Sequence, residues 1–222
     1  KSVARNLPQL TSTSMKGIGG VPQIDRVDHP IFELGVGHAT INVVLHSLIR
    51  TEAASGWGSW IFEGATYFVN SRQLQHHDTT LRNLAAKNII VSAILLVGNG
   101  RDSAGNPHNM MTHPDAEVRG IYSIPNLTNE DSTRFYRAAL SLIAERWSRL
   151  DGANGRISNW IMHNEIDQAG TWTNMGQQPL ARYLETYLRS ARLMYHTSRL
   201  YDPYSRVFIS LTHHWTKKSS GT

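Results

Sequence analysis

The sequence predicts an α/β fold on a parallel sheet, specifically the leading part of a (β/α)8 TIM barrel. Three observations point there. Five strand-like runs alternate with four amphipathic helical segments, the order expected when helices cross over between parallel strands. The strongest run, Ile89 to Val97, is almost continuously apolar, as a strand covered on both faces should be. The chain has 222 residues, whereas a closed eight-stranded barrel typically needs about 250. Roughly the first five strands are therefore expected here, in a truncated barrel. A doubly wound open sheet is the alternative, but the glycines between Gly17 and Gly20 do not form a dinucleotide loop.

Residues 1–14 are polar and read as an N-terminal arm, leaving 15–222 as one partial-barrel domain. Met15 to Val21 is a short first strand weakened by its glycines. Asp28 to Leu34 reads as a brief helix, with Asp28 as cap, Pro30 in the first turn and Gly35 as stop. His38 to Leu45 is rich in β-branched residues and reads as a buried strand. From His46 to Asn70, glycines and the aromatics Trp57, Trp60, Phe62, Tyr67 and Phe68 predict a hairpin-like excursion over the barrel mouth. Ser71 to Lys87 is a helix with Leu74, His77, Leu81, Leu84 and Ala85 on one face. Lys87-Asn88 ends it, since asparagine tolerates the left-handed conformation.

After Ile89 to Val97 comes a structureless connection, Gly98 to Leu127. Loops that long are uncommon and usually functional or disordered. Its Asn99, Asn106, His108, Asn109, His113 and Tyr122 resemble a binding surface. A helix capped at Thr128 or Asn129 follows, striped by Phe135, Ala139, Leu142, Ile143, Trp147 and Leu150. Asp151 to Gly155 is a turn, and Ile157 to Asn164 is a strand. A tryptophan-bearing loop, Gln168 to Gln178, leads into a helix with Tyr183, Leu184, Tyr187, Leu188, Ala191, Met194 and Tyr195 as its buried face. Val207 to Leu211 is the last strand, ending in Thr212-His213-His214-Trp215.

Bulk properties remove several function classes. A hydrophobic content of 40% with 18% charged residues suits a globular chain rather than a disordered one. No apolar run approaches the roughly 20 residues needed to cross a bilayer, so no membrane partner is expected. With no cysteine there is no disulfide framework, thiolate metal site or cysteine nucleophile. The net charge is +5, but the basic residues are scattered, whereas nucleic-acid binders cluster theirs on one face. Nucleic acid is therefore not an expected partner. A Gly-x-Ser-x-Gly elbow and a P-loop are both missing.

The chemistry concentrates in Trp160-Ile161-Met162-His163-Asn164-Glu165, an apolar strand that ends in an Asn-Glu pair. In parallel barrels the loops after the strands form the reactive face. Glycosidic cleavage needs one acid to protonate the leaving oxygen and a second carboxylate across the anomeric carbon. Glu165 fits the acid, and Asn164 fits a hydrogen bond to the neighbouring sugar hydroxyl. A regular pleat would send the two to opposite faces, so both reach the mouth only if the strand twists, bulges or ends there. The dipeptide alone is a weak signal, because such a glutamate caps a helix or pairs with an arginine just as readily. Its place after the fourth strand is what raises it.

Other residues weigh less. Trp172 and Trp215 lie just past strand ends, where an indole can stack on a sugar ring or simply fill core. His213 and His214 are adjacent and point opposite ways. With no His-x-His or His-Glu-x-x-His pattern no metal or other cofactor is expected, and one of the two is expected to hydrogen-bond substrate. A metal-dependent hydrolase using them is the weakest alternative. His163 is expected inside the barrel as a hydrogen-bonded core residue, and His76-His77 on a helix face.

With these motifs in view, the chain resembles a clan A-type (β/α)8-barrel glycoside hydrolase. More closely, it is similar to a family of largely uncharacterised bacterial glycosidase-like domains. The similarity is carried by His38 to Asn42, His113-Pro114, Trp160 to Glu165, Trp172 to Gly176 and Ser210 to Trp215. It implies that Glu165 is the acid/base and that a nucleophilic glutamate ends strand seven, outside this sequence, giving a retaining mechanism. It also brings Asn42, His113, Trp172, His213, His214 and Trp215 forward, with Asn164, as substrate-binding candidates, and Asn99 joins them from the polar 98–127 segment. The expected partner is a carbohydrate, and a polysaccharide-degrading role would make the protein secreted or periplasmic. The alternative from another class is a non-catalytic carbohydrate-binding protein on a degenerate barrel.

Overall fold

The computed structural model describes residues 5–213. Its elements are β1 (Gly17–Ile18), a 3-10 turn (Pro30–Leu34), β2 (His38–Val44), a second 3-10 turn (Leu45–Ser47), β3 (Ile49–Arg50), β4 (Gly58–Phe62) and β5 (Ala65–Val69). Then come α1 (Ser71–Ala86), β6 (Ile90–Gly98), β7 (Tyr122–Ser123), α2 (Glu130–Arg146), β8 (Asn159–Met162), α3 (Ala169–Trp172), α4 (Leu180–Tyr201) and β9 (Arg206–Phe208).

Strands β1, β2, β6, β8 and β9 form one parallel sheet in that spatial order. Sequential neighbours joined by helical crossovers are what a mixed α/β chain with a parallel sheet requires. Alternate strand residues go to the helix side: Ala39, Ile41 and Val43 of β2, Val91, Ala93 and Leu95 of β6, and Trp160 and Met162 of β8. They share one core with Leu74, Leu81 and Leu84 of α1, Phe135 and Ile143 of α2, and Tyr187 and Met194 of α4. The other face carries Thr40, Asn42, Ser92, Ile94, Asn159 and Ile161, all at least partly exposed. Asn42 registers with Ile94, and Ile94 with Ile161.

The excursion between His46 and Asn70 is a separate antiparallel sheet in the order β3-β5-β4. Its β4–β5 turn has Glu63 at φ 48° and Gly64 at φ 79°, the double positive φ of a type I′ hairpin, whose twist matches that of the strands. Residues 5–14 lie against the body: Leu7 is buried, Arg5 Nη1 donates to Glu145 O at 2.7 Å, and Arg156 Nη1 donates to Pro8 O at 2.7 Å.

Several local expectations are corrected. The cap of the first 3-10 turn is His29, whose Nδ1 accepts from Ile31 N, and not Asp28, although Gly35 ends the turn with φ 65° as expected. Ala85 and Leu150 are exposed. On α4, Leu184, Leu188 and Tyr195 face out, while Tyr187, Ser190, Met194, Thr197 and Ser198 are buried. The strands expected at Ile157 to Asn164 and Val207 to Leu211 are shorter, at Asn159–Met162 and Arg206–Phe208. Residues 98–127, read as structureless, contain β7 and a mostly buried return, Ser123 to Leu127. Asn129 caps α2, its side chain accepting from Ser132 N at 2.8 Å, and Asn88 ends α1's exit at φ 55°.

Candidate active site

Residue His163 follows β8 directly and is completely buried. Its Nδ1 sits 2.8 Å from Leu95 O, an acceptor only, so Nδ1 carries the proton. Nε2 then accepts from Ser190 Oγ at 2.9 Å, and the Tyr136 hydroxyl donates to Ser190 Oγ at 3.1 Å. Burial pushes this imidazole down to about 4 and the Tyr136 phenol up. A neutral ring thus pins the end of β8 to β6, α4 and α2. The ring is the hydrogen-bonded core residue expected, but it lies between the sheet and the helices rather than inside a barrel.

Beyond that anchor the strand has ended, and the pleat no longer decides direction. Glu165 adopts the left-handed conformation, with φ 35°, which costs a residue with a Cβ on the order of 1 kcal/mol or more. Its peptide N–H donates to Ser210 Oγ at 3.4 Å, and Ser210 Oγ donates to Asn164 Oδ1 at 3.5 Å. Ile166 N donates to Ser210 O at 3.1 Å, tying the loop after β8 to the chain after β9. Asn164 and Glu165 therefore share one end of the sheet.

The half-buried Glu165 carboxylate has one oxygen held and one open. Trp172 Nε1 donates to Oε2 at 3.1 Å, while Oε1 has no partner among the described residues. The indole itself stacks on Tyr122, with centroids 5.4 Å apart and planes 8° apart. Trp172 comes from α3 and Tyr122 from β7, so two loops meet over the acid. Asn174 locks them: its Oδ1 accepts from Glu117 N at 2.8 Å and Gly176 N at 2.9 Å. Gly176 must be glycine here, since φ is 67° and a Cβ would meet Asp115 O at 2.3 Å. Chemically, the arrangement offers a partly desolvated proton donor or acceptor fixed by an indole N–H, with aromatic surface beside it.

The remaining candidates separate. Asn42 lies mid-strand on β2, exposed on the sheet face away from the helices. Asn99 is buried inside the 98–127 segment, its Nδ2 donating to Glu117 O at 2.6 Å and Gly120 O at 2.9 Å. Its Oδ1 is buried without a hydrogen-bond partner. His113 is buried too; its N–H donates to Ser123 Oγ at 2.9 Å, and its Nδ1 accepts from Asp115 N at 3.2 Å. Both frame the loop that presents Tyr122. His213 adjoins Thr212, whose N–H donates to Asp167 Oδ1 at 2.9 Å, at the β8–β9 end. His214 and Trp215 lie outside the described residues. Among the described residues no three His, Cys, Asp or Glu side chains gather as a metal would require, and no helix is long and apolar enough to cross a membrane.

Asp167, Ser210 and Asn174 are site residues that sequence reasoning did not single out for these roles. Only the long-range pairings reveal them. A cleft of about 990 Å³ also opens beyond the ends of β2 and β6, lined in part by His46, Arg50, Trp57, Arg72 and Asn109. Glu165 is not among its walls.

Comparison with known proteins gives the family. A family model matches residues 8–222, nearly the whole chain. The chain belongs to the family of unknown function DUF5722. No curated protein matches it. Among solved structures, this DUF5722 chain is similar to one described as the crystal structure of a glycoside hydrolase, at 15% identity and a TM-score of 0.41. That match covers 82% of this chain and 44% of the other. The chain thus spans less than half the length of the glycoside hydrolase it matches.

Proposed function

We propose that this protein is a glycoside hydrolase in which Glu165 is the general acid/base. The observation that carries this reading is the state of its carboxylate: delivered just past a strand end by a left-handed residue, Oε2 fixed by Trp172 Nε1, Oε1 without a partner among the described residues. A proton donor to a glycosidic oxygen needs one oriented oxygen and one reachable one. Asn164, held beside it through Ser210, binds the adjacent sugar hydroxyl, and His213, His214, Trp172 and Trp215 contribute to the sugar site. Asn42, Asn99 and His113 complete the substrate surface, the last two by shaping the loop around Tyr122. The parallel sheet, with sequential order and helices packed on one face, is read as the first five strands of a (β/α)8 barrel. The nucleophilic carboxylate of a retaining mechanism then comes from outside residues 1–222, roughly 5–5.5 Å from Glu165. A carbohydrate polymer as substrate puts the enzyme in a secreted or periplasmic setting.

The test is hydrolysis of aryl glycosides and polysaccharides by the wild type and Glu165→Gln. Turnover of substrates with poor leaving groups is expected to fall roughly 10²–10⁴-fold in the variant, with sugar binding retained. Equal activity in both proteins would remove Glu165 from the mechanism. Sugar binding with no turnover in either would favour a binding protein.

A further inference from the structure

We propose that the cleft beyond β2 and β6 binds the charged group of an acidic saccharide, with Arg50 and Arg72 as the recognising cations. The proposal rests on the glycosidase reading for its ligand being a sugar. The cleft's volume of about 990 Å³ lies at the upper end of the roughly 300–1,000 Å³ usual for ligand sites. It opens where β2 and β6 finish, the same end of the parallel sheet at which β8 delivers Glu165.

Its charged lining is Arg50, Arg72 and Glu52, so cations outnumber carboxylates. Neither arginine has a hydrogen bond or ion pair to another described residue. Three arginines away from the cleft are committed to carboxylates: Arg137 pairs with Glu63, Arg146 with Asp78 and Arg156 with Asp202. Arg50 is nevertheless held in place, its guanidinium 5.1 Å above the Trp57 ring centroid. This cation–π contact uses none of the guanidinium N–H groups in a hydrogen bond, and a planar N–H fork matches carboxylate or sulfate with two parallel bonds.

The floor beneath is rigid. Gly98 N donates to His46 Nδ1 at 3.0 Å, and Thr112 Oγ1 donates to Gly98 O at 2.7 Å. A Cβ at Gly98 would sit 2.2 Å from His46 Cε1, so only glycine allows this approach. The net charge of +5 draws a polyanionic substrate towards the protein.

The experiment is calorimetric titration of the protein with oligogalacturonate, a chondroitin sulfate oligosaccharide, a neutral xylo-oligosaccharide and a single-stranded oligonucleotide. Hydrolysis of the three sugars is assayed in parallel in wild type and Glu165→Gln. An acidic sugar is expected to bind and the neutral one to bind far more weakly. Arg50→Ala and Arg72→Ala, both at exposed positions, are each expected to weaken acidic binding about tenfold and to leave neutral binding unchanged. Arg50→Lys, which keeps charge but loses the stacked fork, falls between. The tighter of the carboxylated and sulfated probes identifies the group recognised. Equal binding of acidic and neutral sugars, no binding of any sugar, unchanged binding in the double variant, or preference for the oligonucleotide would each overturn the proposal. Glu165-dependent hydrolysis of the neutral sugar alone would sink the cleft assignment and leave the glycosidase reading standing. Arginine-dependent binding without Glu165-dependent hydrolysis would do the reverse.

Discussion

The two ends of the parallel sheet treat carboxylates in opposite ways. Where strands begin, Asp202 is almost wholly buried and accepts from Arg156 Nε and Nη2 at 3.1 and 2.8 Å and from Tyr204 N at 2.9 Å. In the helix layer Asp78 takes Arg146 Nε at 3.0 Å, Arg146 Nη2 at 2.6 Å and Trp147 Nε1 at 2.9 Å, clamping α1 to the last turn of α2. Where strands finish, Glu165 receives one side-chain donor among the described residues, and its other oxygen has none. The two aspartates use both oxygens to hold elements of the fold together; the glutamate does not. The saturated carboxylates thus lie where strands begin and in the helix layer, and the singly held one lies where strands finish.

The sharpest way to break this comparison is Asp202→Ala. It strands the guanidinium of Arg156, which is 11% exposed, and is expected to destabilise the fold by about 3–5 kcal/mol. Denaturant unfolding measures this; a loss under about 1 kcal/mol would mean that the pair behaves as a surface bridge. Sugar binding at the other end should survive below the melting transition.

Acid should act next. Burial pushes His163 from 6.5 to about 4, and it lowers His46, His77 and His113 as well. The unfolded chain therefore binds more protons than the fold between pH 6.5 and about 4. Stability is full above that window and falls as pH drops through it, by on the order of 3 kcal/mol for His163. Melting temperature followed across the window tests this, and a flat profile would contradict a neutral His163.

The smallest effect sharpens the comparison most. Trp172→Phe keeps an aromatic ring against Tyr122 but removes the donor to Glu165. Turnover is expected to fall about tenfold, the equivalent of one charge-assisted hydrogen bond, with a shift in the basic limb of the pH–rate profile, which the general acid governs. Stability should change by less than about 1 kcal/mol. An unchanged pH profile would reduce Trp172 to packing.

Much of this architecture was legible in the residues, and the failures have physical causes. Strands β2, β6 and β8 stood out because their helix-facing positions are apolar at every second residue, as in Ala39, Ile41 and Val43 or Val91, Ala93 and Leu95. Helix α4 misled, since its leucines and tyrosines lie on more than one side. Its buried face is marked by Ser190, Thr197 and Ser198, polar residues whose burial makes sense only with distant partners such as His163 and Tyr136. Likewise the 98–127 segment looked structureless because Asn174, Arg101 and Asn99 order it through backbone groups far along the chain or hidden in the loop. Glu165 could be proposed from its place after a strand, but its left-handed backbone could not. Arg50 and Arg72 were invisible, since scattered single charges become a pair only after folding.

That left-handed backbone has a consequence for the protein's history. The main chain at Glu165 is held at φ 35°, so the fold bears a standing penalty for as long as a glutamate occupies the position. Glycine or asparagine would relax it at once. On the proposed acid role, a lineage released from it should drift to one of those two residues and melt at a higher temperature for having done so.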